Sequence, residues 1–117
     1  DWETARRTMW NYVGIQRDLE RLEVARQRMD DLAAVAEDWA RRRRPSVHLL
    51  ELRNVTLVGS LVVRCAAFRK ESRGLHALRQ HPGPEPSFLG DTLLRRKRGP
   101  WLRPLAEEDD DASRHRL

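Results

Sequence analysis

At 117 residues the chain has room for one modest core, since folding at this size removes only about 60–70% of the accessible surface. Its net charge of +5 and pI near 10.5 come almost wholly from arginine, with Lys70 and Lys97 the only lysines. Such a balance invites phosphate neutralisation, but acids interleave with the arginines through most of the chain, which reads as a solvated helical surface of mixed sign.

The longest apolar stretch, Val55 to Phe68, is broken by Thr56, Gly59, Ser60 and Arg64 and falls short of the about 20 residues a bilayer requires, so no membrane span is expected. The chain opens on Asp1 with no apolar run flanked by basic residues, and is expected to be a piece of a longer polypeptide without a signal peptide. The lone Cys65 can form no intrachain disulfide and reads as a small core residue of a reducing compartment.

Trp2, Ala5, Met9, Tyr12 and Val13 recur at helical spacing and predict a helix over 2–13, with Gly14 at its C-terminal cap. A second helix is predicted over 16–43, with Ile15, Leu22, Met29 and Ala36 in one heptad row and Ala25, Leu32 and Trp39 in the other. Four arginines, Arg41 to Arg44, suit its C-terminal dipole, and Pro45 ends it. Ser46 then caps a third helix over 47–72, whose expected core stripe is Leu50, Leu57, Val58, Leu61, Cys65 and Phe68. Leu49, Leu52, Val55, Val62 and Val63 fall off that stripe, so this helix needs cover on more than one side: either the core wraps it fully or a further domain packs against it, and without that domain a second copy of the chain would cover the bare face. After Gly74, prolines and glycines deny regular helix; "DTLL" suggests one short strand, Trp101 an anchor, and the acidic run after Leu105 a disordered tail.

The stretch "RKESRGLHALRQHP" combines an acid, bases and histidines at the end of the most apolar run. No G-x-G-x-x-G, P-loop or G-x-S-x-G turn accompanies it, and His76 and His81 have no ligand-spaced partners, so no catalytic, cofactor-binding or metal site is expected. Gly74 suits a left-handed helix stop, and Arg73 suits the helix C-terminus. Glu71 does not, because its helical neighbours Ala67, Phe68, Gly74 and Leu75 offer no cation. Folding the third helix back on the second places Glu71 opposite Arg17 and Arg53 opposite Glu37 or Asp38, which predicts an Arg17–Glu71 pair between helices.

The segments "MWNYVGIQRDLERLEVA", "LLELRN" and "VVRCAAFRKESRGLH" resemble, over about Arg7 to Pro82, the C-terminal helical domain of L-aspartate oxidase, in the succinate dehydrogenase and fumarate reductase flavoprotein superfamily. The resemblance implies an all-α fold, an up-down-up three-helix bundle like a spectrin repeat over 1–76, followed by an irregular docking segment at 77–104 and the tail 105–117. It also implies a parent enzyme of the bacterial cytoplasm that uses FAD to oxidise L-aspartate to iminoaspartate for quinolinate and NAD synthesis. The flavin-binding and capping domains, with the catalytic residues, would precede this region and be its partners, leaving none of the FAD site here. Glu71, Ser72, Arg73, Gly74 and His76 would then act as a conformational lock. In relatives the motif continues to an Asp and an aromatic where this chain has Gln80 and His81, which leaves the docking of the tail open. Two other readings are the equivalent domain of a succinate dehydrogenase or fumarate reductase flavoprotein, and a nucleic-acid-binding bundle using Arg41–Arg44 and Arg95–Arg98; the first resemblance favours no nucleic acid.

Overall fold

A computed structural model of the chain describes residues 1–105. Its elements in order are α1 (Trp2–Tyr12), β1 (Gln16–Arg17), α2 (Leu19–Arg42), α3 (Val47–Phe68), β2 (Ala77–Leu78), a 3₁₀ turn (Pro86–Phe88), β3 (Gly90–Arg95) and β4 (Arg98–Pro104). The all-α expectation is therefore wrong: three helices are joined by two small sheets. One is parallel, with Gln16 opposite Ala77 and Arg17 opposite Leu78. The other is an antiparallel hairpin with Thr92 opposite Leu102 and Leu93 opposite Trp101. The stretch 77–104 is thus structured rather than irregular, and the expected tail after Leu105 lies outside the described residues.

Local chemistry sets the helix limits. Asp18 caps α2 by accepting from the N–H groups of Glu20 and Arg21 at 2.9 and 3.3 Å, so the helix starts later than its apolar pattern suggests, and Ile15 stays outside it, 60% exposed. Ser46 caps α3, its Oγ accepting from Leu49 N–H at 3.1 Å. At the far end Arg69 leaves the helix at φ −77°, ψ 89°, four residues after the last turn begins at Cys65, and the expected helix through Ser72 is not formed.

The core gathers Ala5, Val13, Leu22, Ala25, Met29, Val63, Ala66 and Leu78, all at most 7% exposed. Leu22, Met29 and Ala36 of the expected heptad row are buried as the α2 pattern requires. In α3 the packed face is the other one: Leu49, Leu52, Thr56, Gly59, Ser60, Val63 and Ala66 turn inward, while Leu57 and Val58 are 52% and 57% exposed. Small side chains explain the choice. At Gly59 a Cβ would lie 2.5 Å from Met29 Cε, so the glycine makes room for the end of the buried Met29 side chain between α2 and α3. The inward hydroxyls are satisfied: Thr56 Oγ1 donates within its own helix, to the carbonyls of Leu52 or Arg53, and Ser60 Oγ donates to Asp30.

Asp30 also accepts from Arg64 at 2.8 Å and Arg26 at 3.1 Å, tying α2 to α3. Arg53 meets Glu37 at 2.7 Å, as the antiparallel register predicts, but the pair is exposed. Arg53→Ala is expected to lower stability by less than about 1 kcal/mol in urea unfolding, and a larger loss would mean that the arginine stem packs rather than pairs.

Candidate functional site: a closed polar lock at the end of the bundle

Beyond Phe68 the backbone is no longer helical and bends at Glu71, with Arg69 and Arg73 two residues to either side. Glu71 thereby gains partners a helix would have denied it. Its carboxylate is wholly buried between Arg69, whose Nε lies at 3.4 Å, and Arg73, whose NH2 lies at 3.1 Å, and it accepts from the Glu85 N–H at 3.0 Å. Burial by itself would push the Glu71 carboxyl up, but the Arg73 hydrogen bond, the Glu85 N–H and the charges of Arg73 and Arg69 outweigh it and hold the group below the usual carboxylate range.

The expected Arg17–Glu71 pair is not formed. Arg17 donates instead through Nε to the Gly14 carbonyl at 2.9 Å and through NH1 to His76 Nδ1 at 2.8 Å. His76 Nε2 lies 2.9 Å from the Arg69 carbonyl. A guanidinium only donates and a carbonyl only accepts, so the ring carries its proton on Nε2. The tie between the β1 segment and the end of α3 exists, but His76 mediates it.

Ser72 is the latch of the returning loop. Its N–H donates to Gly83 O at 3.0 Å, its Oγ donates to His81 O at 2.6 Å, and the same oxygen accepts from Leu78 N–H at 2.8 Å. Arg73 and His76 exchange two backbone hydrogen bonds across a tight reversal in which Gly74 sits at φ +58°, so Gly74 serves a turn rather than a helix stop. The turn aims β2 at β1: Ala77 N–H reaches Ile15 O and Arg79 N–H reaches Arg17 O. Ser72→Ala is expected to cost about 1–2 kcal/mol in thermal or urea unfolding, because it strands the Leu78 N–H and the His81 carbonyl. A change within a few tenths of a kcal/mol would show that water replaces the hydroxyl.

Several working residues escaped the sequence reading. Gln80, which departs from the usual motif, donates to Asp18 at 2.9 Å and accepts from Leu19 N–H at 3.0 Å, so it docks the returning segment onto the start of α2. Arg79 adds an ion pair to Asp18 at 3.3 Å. Arg69 donates to the carbonyls of Phe88 and Gly90, and Phe68 meets Phe88 edge-to-face at 5.7 Å, which fixes the start of the hairpin. The signal for Asp18 was available as an acid before a helical run; the roles of Gln80 and Arg69 depend on chain returns that leave no periodic trace.

Chemically, the cluster is spent on itself. Glu71, Ser72, Arg73 and His76 bond to one another, to the side chains of Arg17 and Arg69 or to backbone, and no buried side-chain polar atom among the described residues lacks a partner. No group of three metal-ligating side chains occurs among the described residues, and burial pushes the Cys65 thiol up, away from thiolate reactivity. Neither α2 nor α3 offers a flavin dinucleotide its usual seat. A pyrophosphate needs a glycine-rich turn entering a free helix N-terminus, whereas α2 and α3 have theirs occupied by Asp18 and Ser46. No described helix is long and apolar enough to cross a membrane.

Residues 3–111 match the family described as fumarate reductase flavoprotein C-term. The chain is 46% identical over 82 residues to an L-aspartate oxidase of Acinetobacter baylyi, covering 70% of this chain and 15% of that protein. It is 44% identical over 93 residues to that of Yersinia pestis, covering 76% and 17%, and 44% over 94 residues to that of Vibrio cholerae, covering 80% and 17%. It therefore spans about a sixth of the length of these relatives. The chain belongs to the fumarate reductase flavoprotein C-terminal family, in the form found in L-aspartate oxidases.

Proposed function

We infer that this chain is the non-catalytic C-terminal domain of an FAD-dependent L-aspartate oxidase, whose parent converts L-aspartate to iminoaspartate for quinolinate and NAD synthesis in the cytoplasm. The observation that carries this reading is the closure of the lock: the side chains of Glu71, Ser72, Arg73 and His76, the centre of the catalytic-looking cluster, are all bonded within the fold rather than aimed at a substrate. What the domain offers its parent is a surface. Leu50, Val58 and Val62 form an exposed apolar strip on α3, on the side away from the core. Its occupant is the flavin-bearing part of the same polypeptide, which the relatives' greater length supplies. The lock holds α3 and the returning segment in one arrangement, so that this strip is presented as a rigid face.

The test exchanges domains. Replacing the corresponding region of the Yersinia pestis relative with this chain is expected to retain L-aspartate oxidation, and Val58→Asp in the chimera to reduce it. The chain alone is expected to show neither flavin absorbance nor oxidation of L-aspartate or succinate. Flavin bound at stoichiometry by the chain alone would overturn the reading; a strict dimer through the Val58 face that persists in the chimera would assign the strip to a second copy instead.

A further inference from the structure

The hairpin tip carries four consecutive cations, Arg95 to Arg98, all exposed and none ion-paired within the described residues. Arg95 and Arg98 stand directly opposite each other across the two strands. Like charges so placed destabilise a hairpin; the Trp101 ring, 3.7 Å from the Arg98 guanidinium, offsets this for Arg98, and a neighbouring anion would relieve it for the whole tip. The tip does not project into open solvent alone. It closes one end of an open groove of about 1190 Å³ between α3 and the hairpin, floored by Leu57, Leu61 and Leu94 and edged on the helix side by Arg53 and Arg64. Glu37 is the one acid on this groove among the described residues, and Arg53 and Arg41 already share it. An apolar floor with a cationic rim suits an extended acidic segment that begins with an apolar residue.

Such a segment leaves the structure at the other end of the same groove. Leu105 donates its N–H to Leu89 O, beside the Phe88 and Gly90 carbonyls held by Arg69, and Arg69 is itself a groove residue. Next in sequence come Ala106 and then five consecutive acids, Glu107 to Asp111. At about 3.3–3.6 Å per residue these acids lie roughly 7–20 Å along the chain from Leu105. From Gly90 to Arg95 the hairpin extends about 17 Å at about 3.4 Å per residue. The acidic run thus spans the distance from the groove's Arg69 end, past Arg64, to the tip.

We propose that the chain's own acidic segment, Glu107 to Asp111, docks in the groove between α3 and the β3–β4 hairpin and neutralises Arg95 to Arg98. Docking covers Leu57, Leu61 and the groove side of Val62 and leaves Leu50 and Val58 free, so the segment trims the exposed apolar face of α3 to the part that meets the parent. It also adds a tie between the hairpin and the helix to those made by Arg69 and Phe88.

The experiment compares the 117-residue chain with a variant carrying Glu107→Gln, Glu108→Gln, Asp109→Asn, Asp110→Asn and Asp111→Asn. These changes keep side-chain shape and lie outside the described fold, so both proteins retain the core. Docking predicts that the variant shifts the methyl resonances of Leu57, Leu61 and Leu94 and the amides of Arg95 to Arg98, while Val24 and Val35 on α2 stay in place. In the unaltered chain a carbodiimide is expected to join Lys97 to the acidic run within one molecule. That product should fall several-fold in about 1 M salt, where the Debye length shrinks to about 3 Å, and in the Arg95→Gln, Arg98→Gln variant, which keeps Lys97 and the acids. Shifts confined to the acidic segment itself would overturn the proposal. So would a Lys97 product unaffected by Arg95→Gln, Arg98→Gln, or one formed only between molecules, which would make the groove a contact between copies.

Discussion

Glu71→Gln is expected to lower stability by about 3 kcal/mol at neutral pH, the largest effect of any single polar replacement in this chain. The variant keeps the size and one acceptor of the side chain, and the Glu85 N–H can still be satisfied. What it removes is the charge that Arg69 and Arg73 share from within a wholly buried position. Arg73 is more exposed than Arg69, so its guanidinium recovers some hydration; Arg69 also stays bonded to Phe88 and Gly90. That relief keeps the cost near the low end for a broken buried pair. The pH dependence follows from the depressed carboxyl. Because the folded-state pKa of Glu71 lies below its unfolded value, its contribution is fully present above about pH 4.3, the unfolded glutamate range, and is lost as pH falls through the folded value. Urea unfolding at pH 7 and pH 5 should give the same gap between the unaltered chain and the variant, and the gap should close progressively below about pH 4. A gap that persists undiminished at the lowest pH would mean that shape, not charge, is what Glu71 supplies.

The pattern of α2 was legible because one periodicity controls it: Leu22, Ala25, Met29 and Ala36 are all buried, and the register with α3 brings Arg53 to Glu37 as the antiparallel turn at Pro45 requires. The face of α3 was not legible by hydropathy. Its most apolar side, with Leu57, Val58 and Leu61, points outward, and the packed side was hidden among Thr56, Gly59 and Ser60. Such residues read as polar in sequence but allow close helix approach once their hydroxyls are bonded inside the fold. The parallel pairing of β1 with β2 involves two residues a side, too few to show an alternation. β4 carries Pro100 and Pro104, which it can hold because both strands of a two-stranded sheet are edges, where proline is tolerated. The lock itself was half legible. Its residue types mark Glu71 as an anion in need of a distant cation, but only on a helix, and α3 ends at Phe68. Once Phe68 ends α3, the chain bends at Glu71 between Arg69 and Arg73, and Arg17 is released to His76.

Leu78→Ala is expected to cost about 3 kcal/mol, comparable with removing a side chain from the middle of a helix interface. Leu78 is 1% exposed and belongs to the same cluster as Leu22, Met29 and Val63, although it follows the end of α3 by ten residues. Its neighbours cannot easily close the gap left by alanine. On one side Arg17 is held to it by the parallel pairing, and on the other Ser72 Oγ holds its N–H. The cavity therefore stays open, which puts the cost well above the transfer of the lost methyl groups alone. A bundle of three helices with a loosely attached tail makes a different prediction, since a leucine in that tail would be worth no more than about 0.5 kcal/mol. Thermal or urea unfolding of Leu78→Ala beside Leu89→Ala separates the two. Leu89 is 50% exposed, and its replacement should be nearly neutral. If both variants lose little, the returning segment is not part of the core; if Leu78→Ala alone is severe, the helices are completed by the strand the lock delivers, and the domain presents one rigid unit to its parent.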